Sequence, residues 1–246
     1  MTRLSGGLID RNCNLNFSFD GKSFTGHAGD TLASALLAND VRLMGRSFKY
    51  HRPRGVFTAG SEEPNALVEL RTGNRQEPNT RATVVELFEG LHARSQNHVG
   101  SLGFDLLAVN DLLSPFFAAG FYYKTFMWPK AFWEKLYEPM IRRAAGLGSL
   151  SMQADPDNYD AGFLHCDLLV IGGGAAGLAA ALIAARSGAR VILADEDFRL
   201  GGRLLAESAP LDRPATEWIA ELEAEFASLP NLRVMRRTTV WGAFDH

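Results

Sequence analysis

The chain has 246 residues, 46% hydrophobic, 22% charged and 10% aromatic, enough to bury one large core or two smaller ones and too apolar for a disordered segment. Lysine and arginine number 25 against 28 aspartates and glutamates, and the resulting net charge of −3 argues against a general nucleic-acid binder or a polybasic membrane binder. Two cysteines, Cys13 and Cys166, are too few for a disulfide framework, a four-cysteine zinc site or an iron–sulfur cluster, and they fit a reducing, cytoplasmic compartment. Residues 1–21 alternate polar with apolar and hold no apolar core of the length an export signal needs. The greasiest stretch, 112–123, is broken by Ser114, Pro115 and Gly120 and falls short of the ~18 apolar residues of a spanning helix, so no membrane segment is expected.

Three stretches of different character follow one another, with no internal repeat. In the first, residues 1–90, Leu15, Phe17 and Phe19 alternate with Asn16 and Ser18, and Asp20-Gly21 offers a tight turn before Ser23-Phe24-Thr25, the pattern of a β-hairpin. Asp30 or Thr31 can then cap a helix through Leu32, Ala35, Leu36 and Leu37, with Asn39 available to end it. A later strand at 66–70 completes the element order of a small α+β domain, a ferredoxin-like β-grasp. Between helix and strand, Arg42, Arg46, Lys49, Arg52 and Arg54 put five positive charges into a run without an acid. Such a run is either a solvated loop or, flanked as it is by Phe48, Tyr50 and His51, a surface for a phosphate-bearing cofactor or an acidic subunit.

The second stretch, 91–162, gathers Phe116, Phe117, Phe121, Tyr122, Tyr123, Phe126, Trp128, Phe132, Trp133 and Tyr137, while Gly120, Pro129 and Pro139 interrupt its helical runs. A local core can use such rings. Ten of them in 22 residues are hard to bury in a connector, which favours contact with a partner subunit or a further domain.

The third stretch, 163–246, carries the clearest chemistry. Leu168-Leu169-Val170-Ile171 reads as a strand buried on both faces of a parallel sheet. Gly172, Gly174 and Gly177 follow in the G-x-G-x-x-G spacing, then a helix over 175–187, a second strand over 190–194, and Asp195-Glu196-Asp197. The three glycines serve different purposes. Gly172 allows a sharp turn out of the strand, Gly174 leaves room for a pyrophosphate against the backbone, and Gly177 lets the helix pack closely. The helix N-terminus offers unpaired N–H groups and a positive dipole end to a diphosphate. Asp195 stands 23 residues after Gly172, near the ~20 expected of the acid that holds the adenosine ribose, and Glu196 is its neighbour. An acid there favours NAD or FAD over NADP, an inference softened by Arg199 and Arg203 nearby. Gly201-Gly202-Arg203 is either a second tight turn beside the ligand or an ordinary surface loop. A helix over 215–228 and a third strand within 231–240 complete the pattern, so the fold expected is α/β: a β-grasp domain without a cluster, then an incomplete Rossmann-type dinucleotide-binding domain. A fold of this kind normally has more strands, and the chain is expected to be the N-terminal piece of a longer protein.

The stretch from Phe48 to Gly55, Phe-Lys-Tyr-His-Arg-Pro-Arg-Gly, followed by Glu62-Glu63-Pro64-Asn65-Ala66, resembles the N-terminal domain of the alpha subunits of heterotetrameric sarcosine oxidases. The segments Met127-Trp128-Pro129, Trp133-Glu134 and Tyr137-Glu138-Pro139 are similar to the same subunit, as is the glycine motif. Relatives with a two-iron ferredoxin domain carry clustered cysteines after Arg-Pro-Arg-Gly, whereas Val56 to Ser61 has none here, so the domain is expected to keep the ferredoxin shape without electron transfer. The resemblance implies a complex of alpha, beta, gamma and delta subunits that oxidises sarcosine to glycine, a one-carbon unit and hydrogen peroxide. It implies NAD on alpha, FAD on beta, FMN near their interface, and tetrahydrofolate used by a later part of alpha. By position, Gly172, Gly173, Gly174, Ala175, Ala176 and Gly177 would hold the NAD pyrophosphate, Asp195 and Glu196 the ribose, and Gly202, Arg203 and Val240 further contacts. No catalytic residue is assigned, because the family places amine oxidation on another chain. Two other readings are an FAD-binding subunit of an opine or amine dehydrogenase, and a scaffold whose nucleotide is structural.

Overall fold

The computed structural model describes residues 3–5, 7–116, 120, 128–144, 148–207 and 213–244. Two compact units divide the chain, Met1–Asp157 and Asn158–His246.

In the first unit, β1 (Asp10–Phe19) and β2 (Lys22–Ala28) form the expected antiparallel hairpin, closed by Asp20 and Gly21 at φ 50° and 76°. Helix α1 (Leu32–Ala38) follows, capped by Thr31, whose hydroxyl accepts from Ser34 N at 3.1 Å while the Ser34 hydroxyl accepts from Thr31 N at 2.9 Å. Asn39 ends it, as its sequence position suggests, and its side-chain amide donates to Ala35 O and Thr25 O. After the short antiparallel pair β3 (Gly45–Arg46) and β4 (Pro53–Arg54) come β5 (Leu67–Leu70), β6 (Glu77–Arg81) and β7 (Leu91–Ser95). The main sheet runs β2-β1-β7-β5-β6, with β7 parallel to β1 and antiparallel to β5. That is the β-grasp order. Its central strand, β7, begins one residue beyond the boundary expected at 90, so the sheet is complete only with residues from the second stretch.

Phe17, Phe19, Leu32, Leu36, Val68, Leu91 and Ala93 lie buried in one apolar cluster, because the inward positions of β1, β5 and β7 meet the buried face of α1. Past β7, the chain forms α2 (Val109–Leu112) and α3 (Glu138–Ala144), joined to short irregular turns. Among the described rings of this stretch, Trp128 is 82% exposed, and Phe132 and Trp133 are exposed as well. Tyr137 donates its hydroxyl to Trp128 O at 3.0 Å and meets the Phe132 ring edge-on. Phe117, Phe121, Tyr122, Tyr123, Phe126 and Met127 lie outside the described residues, as does the Phe116 side chain.

In the second unit, β8 (Leu168–Ile171), α4 (Ala175–Arg186), β9 (Val191–Ala194), α5 (Ala215–Ser228) and β10 (Leu232–Met235) fall close to their sequence-derived positions. The three strands are parallel in the order β10-β9-β8. Leu178, Leu182, Val191, Leu193, Ile219 and Phe226 pack between sheet and helices. The expectation that β8 is buried on both faces is corrected: Leu169 is 44% and Ile171 64% exposed. Among the described strands β8 has β9 as its neighbour, and alternation points Leu169 and Ile171 away from the face on which Val170 joins the core.

Candidate functional site

The glycine turn is built by steric exclusion. Gly172 leaves β8 at φ 94°, a conformation that side-chain-bearing residues avoid, while its N–H still bonds Ala194 O at 2.8 Å. A Cβ on Gly177 would stand 1.9 Å from Gly172 O, so only glycine lets α4 fold back against the strand end. A Cβ on Gly173 would meet Leu200 Cδ2 at 2.5 Å and Asp195 Oδ2 at 2.9 Å. Gly174, the N-cap of α4, differs: a Cβ there would find no protein atom within 4 Å. Packing therefore requires Gly173 and Gly177, whereas the space at Gly174 faces outward. No side chain caps α4, and the N–H groups of its first turn, at Ala175, Ala176 and Gly177, point toward that space.

Asp195 follows β9 directly and comes beside the turn. Its Oδ2 accepts from Gly173 N, its Oδ1 from Asp197 N at 2.7 Å, and its own carbonyl from Thr238 N at 2.8 Å. The carboxylate thus ties the glycine turn to the end of β9, a structural duty that spacing alone does not reveal. Glu196 beside it is exposed. The Gly201-Gly202 turn belongs to the site: Gly201 N donates to Gly173 O at 2.8 Å, and a Cβ on Gly202 would lie 3.3 Å from Gly174 Cα. Arg203 is exposed in the short helical turn that follows, with Glu207 4.0 Å away. Val240 lies beyond β10, two residues after the Thr238 that bonds Asp195. The structure accordingly brings together the glycine turn, Asp195 and Gly201-Gly202.

The basic run of the first unit is largely engaged within the protein. Arg46 donates to Leu102 O and His51 O, and Arg52 pairs with Asp111 and lies over the Tyr50 ring at 4.8 Å. His51 is buried, its Nδ1 2.7 Å from Asp105 Oδ2, while Asp105 Oδ1 accepts from Val99 N and Leu107 N. These links fasten residues 46–52 to 99–111.

Two buried acids, Asp30, a candidate helix cap by sequence, and Glu63, part of the motif that follows the basic run, carry structural work that the sequence did not assign to them. Arg3 forks onto both Asp30 oxygens at 2.8 and 2.7 Å, joined by the Ser34 hydroxyl and His27 N. Burial pushes the Asp30 pKa up, but these donors outweigh it and leave the acid below its ordinary value. Glu63, 1% exposed, accepts four backbone N–H groups, from Phe57, Thr58, Asn65 and Ala66. They overcome the opposing effect of burial and likewise hold its pKa low. No apolar period marks these acids; the sequence cues to Glu63 are its place in the Glu62-Glu63-Pro64-Asn65-Ala66 motif and beside a cysteine-free loop.

Residues 12–98 match a family described as a 2Fe-2S iron–sulfur cluster binding domain, and residues 167–237 match the FAD-dependent oxidoreductases. The chain is 61% identical over 97% of its length to the sarcosine oxidase alpha subunit of Rhizobium meliloti (strain 1021), and 35% identical over 98% to that of Corynebacterium sp. (strain U-96). It spans 24% and 20% of those two relatives. Among solved structures, L-proline dehydrogenase from P. horikoshii shares the fold at a TM-score of 0.53 and 19% identity, covering 96% of this chain and 36% of that one. The first unit holds one cysteine, Cys13, which is exposed, so its residues do not fit a thiolate-bound cluster. With the sequence similarity to three such subunits running nearly end to end, the chain belongs to the N-terminal region of the sarcosine oxidase alpha-subunit family.

Proposed function

We propose that the second unit is a Rossmann-type domain that binds NAD, and that the chain serves as the nucleotide-binding N-terminal part of an alpha subunit in a multisubunit sarcosine oxidase. The observation that carries this reading is the outward space at Gly174, bounded by the uncapped start of α4 and by Gly202, beside glycines that packing itself demands. There the backbone N–H groups of Ala175, Ala176 and Gly177 hold the pyrophosphate. Asp195, fixed by Gly173 N and Asp197 N, presents its remaining lone pairs to the ribose hydroxyls, with Glu196 adjacent. Arg203 and Val240 line the same end of the sheet as outer contacts. A bound NAD would supply a hydride-accepting nicotinamide; this chain contributes binding and orientation, and no residue of it is assigned to amine oxidation.

By the same reading, FAD resides on a beta subunit, FMN between alpha and beta, and tetrahydrofolate is used farther along alpha. The exposed Trp128, Phe132 and Trp133 then supply surface for beta, gamma or delta subunits, and the products are glycine, a one-carbon unit and hydrogen peroxide. The match of 167–237 to FAD-dependent oxidoreductases supports a second reading, in which the turn holds FAD, as in an amine dehydrogenase subunit. Both nucleotides share the adenosine half that the site grips. Acid release of the cofactor separates them, because flavin absorbs in the visible and NAD only in the ultraviolet. In the complex, loss of a colourless adenine dinucleotide from Asp195→Ala with the flavin content unchanged is expected; loss of FAD from that variant instead would establish the second reading, and retention of NAD by it would remove Asp195 from the site.

A further inference from the structure

The first unit matches a cluster-binding family yet lacks the thiolates, and the loop after β4 shows what stands in their place. Plant-type two-iron centres take their first three thiolates in the spacing C-x4-C-x2-C. Thr58, Glu63 and Ala66 have that spacing, and the fold draws all three to one point. One oxygen of Glu63 accepts from Phe57 N at 2.7 Å, Thr58 N at 2.6 Å and the Thr58 hydroxyl at 3.3 Å. The other accepts from Asn65 N at 2.7 Å and Ala66 N at 3.0 Å. Thr83 reaches the same loop from beyond β6, its buried hydroxyl donating to Gly60 O at 2.7 Å.

Converging backbone N–H groups form the concavity in which proteins hold anions, iron–sulfur clusters among them. In this chain an internal carboxylate occupies it. We propose that Thr58, Glu63, Ala66 and Thr83 stand at the four ligand positions of a two-iron cluster site, and that the Glu63 carboxylate replaces the anionic cluster as the centre that closes the loop. The domain is then redox-inert by construction: the amides that would surround cluster sulfur are spent on a side chain. It retains the loop, and with it the anchored Phe48 to Gly55 segment, as a shaped surface rather than an electron carrier. The inference stands apart from the nucleotide site, since it concerns only the first unit.

The test is to restore the thiolates. A full-length chain carrying Thr58→Cys, Glu63→Cys, Ala66→Cys and Thr83→Cys together, incubated anaerobically with ferric iron, sulfide and a thiol, is expected to retain about two iron atoms and show visible sulfur-to-iron absorption. The unsubstituted chain, treated identically, is expected to retain none. A folded quadruple variant that takes up no iron, or an unsubstituted chain that takes up as much, would overturn the proposal. If circular dichroism shows the quadruple variant unfolded, Glu63→Gln alone decides. Proteolysis within 57–62 should accelerate about tenfold or more, with the exposed Glu62→Gln unchanged. Equal rates in the two single variants would refute the organising role of Glu63.

Discussion

Asp30, Glu63 and Asp105 are each buried, each ionised against the cost of burial, and each held below its ordinary pKa by donors. For Asp105 the opposing donors are Val99 N and Leu107 N, then His51. Because the folded values lie below the unfolded ones, these groups stabilise the first unit fully above about pH 4.3, and the contribution fades as pH falls through the folded values. Urea midpoints of the first unit measured between neutral and acid pH should therefore drop steeply below about pH 4. Glu63→Gln should lower the neutral midpoint and flatten that descent; an unchanged slope would mean that Glu63 is not ionised in the fold. In the second unit, Asp167 pairs with Arg190 across the start of β8 and β9, which holds its pKa to about 2; both groups are exposed, so the pair adds little pH dependence to that unit.

At the scale of elements, the glycine turn offers a pair of substitutions with opposite signatures. Gly177→Ala drives a Cβ into Gly172 O and should destabilise the second unit by about 1–3 kcal/mol or more, read as a lower thermal midpoint. Gly174→Ala meets no protein atom, so its midpoint should change by less than about 1 kcal/mol in equivalent stability, while dinucleotide affinity falls about tenfold or more. Equal affinity in Gly174→Ala and the parent would place the pyrophosphate elsewhere. The strand, turn, helix, strand and acid were legible because each has a local cause: apolar runs, helix formers and glycines at fixed offsets. Less legible was the double duty of Asp195, whose bond to Gly173 N joins segments 22 residues apart.

Across the whole molecule, the two units separate the proposed roles, one a β-grasp domain organised by buried acids, the other a nucleotide cradle. Hydrogen exchange with and without added NAD tests this division. At 100 times the dissociation constant, binding adds about 2.7 kcal/mol to the bound fold, so amides of 172–205 should slow about a hundredfold while those around Glu63 stay unchanged. Protection spread equally over both units would contradict a site confined to the second. For the aromatic stretch, sequence density alone left open a core or an interface; among its described rings, Trp128, Phe132 and Trp133 are exposed.

By itself the sequence determined the hairpin, the capped helix, the glycine turn and the absence of cluster thiolates, since each depends on neighbours in the chain or on residue type. Only the tertiary structure decided that β7 is the centre of the first sheet, that Leu169 and Ile171 of β8 are exposed, and that Arg46, His51 and Arg52 are anchors. It also decided that Glu63 fills the loop. The physical reason is range: strand order, burial and the partner of a buried charge are set by groups far apart along the chain, and no local pattern encodes which of them will meet.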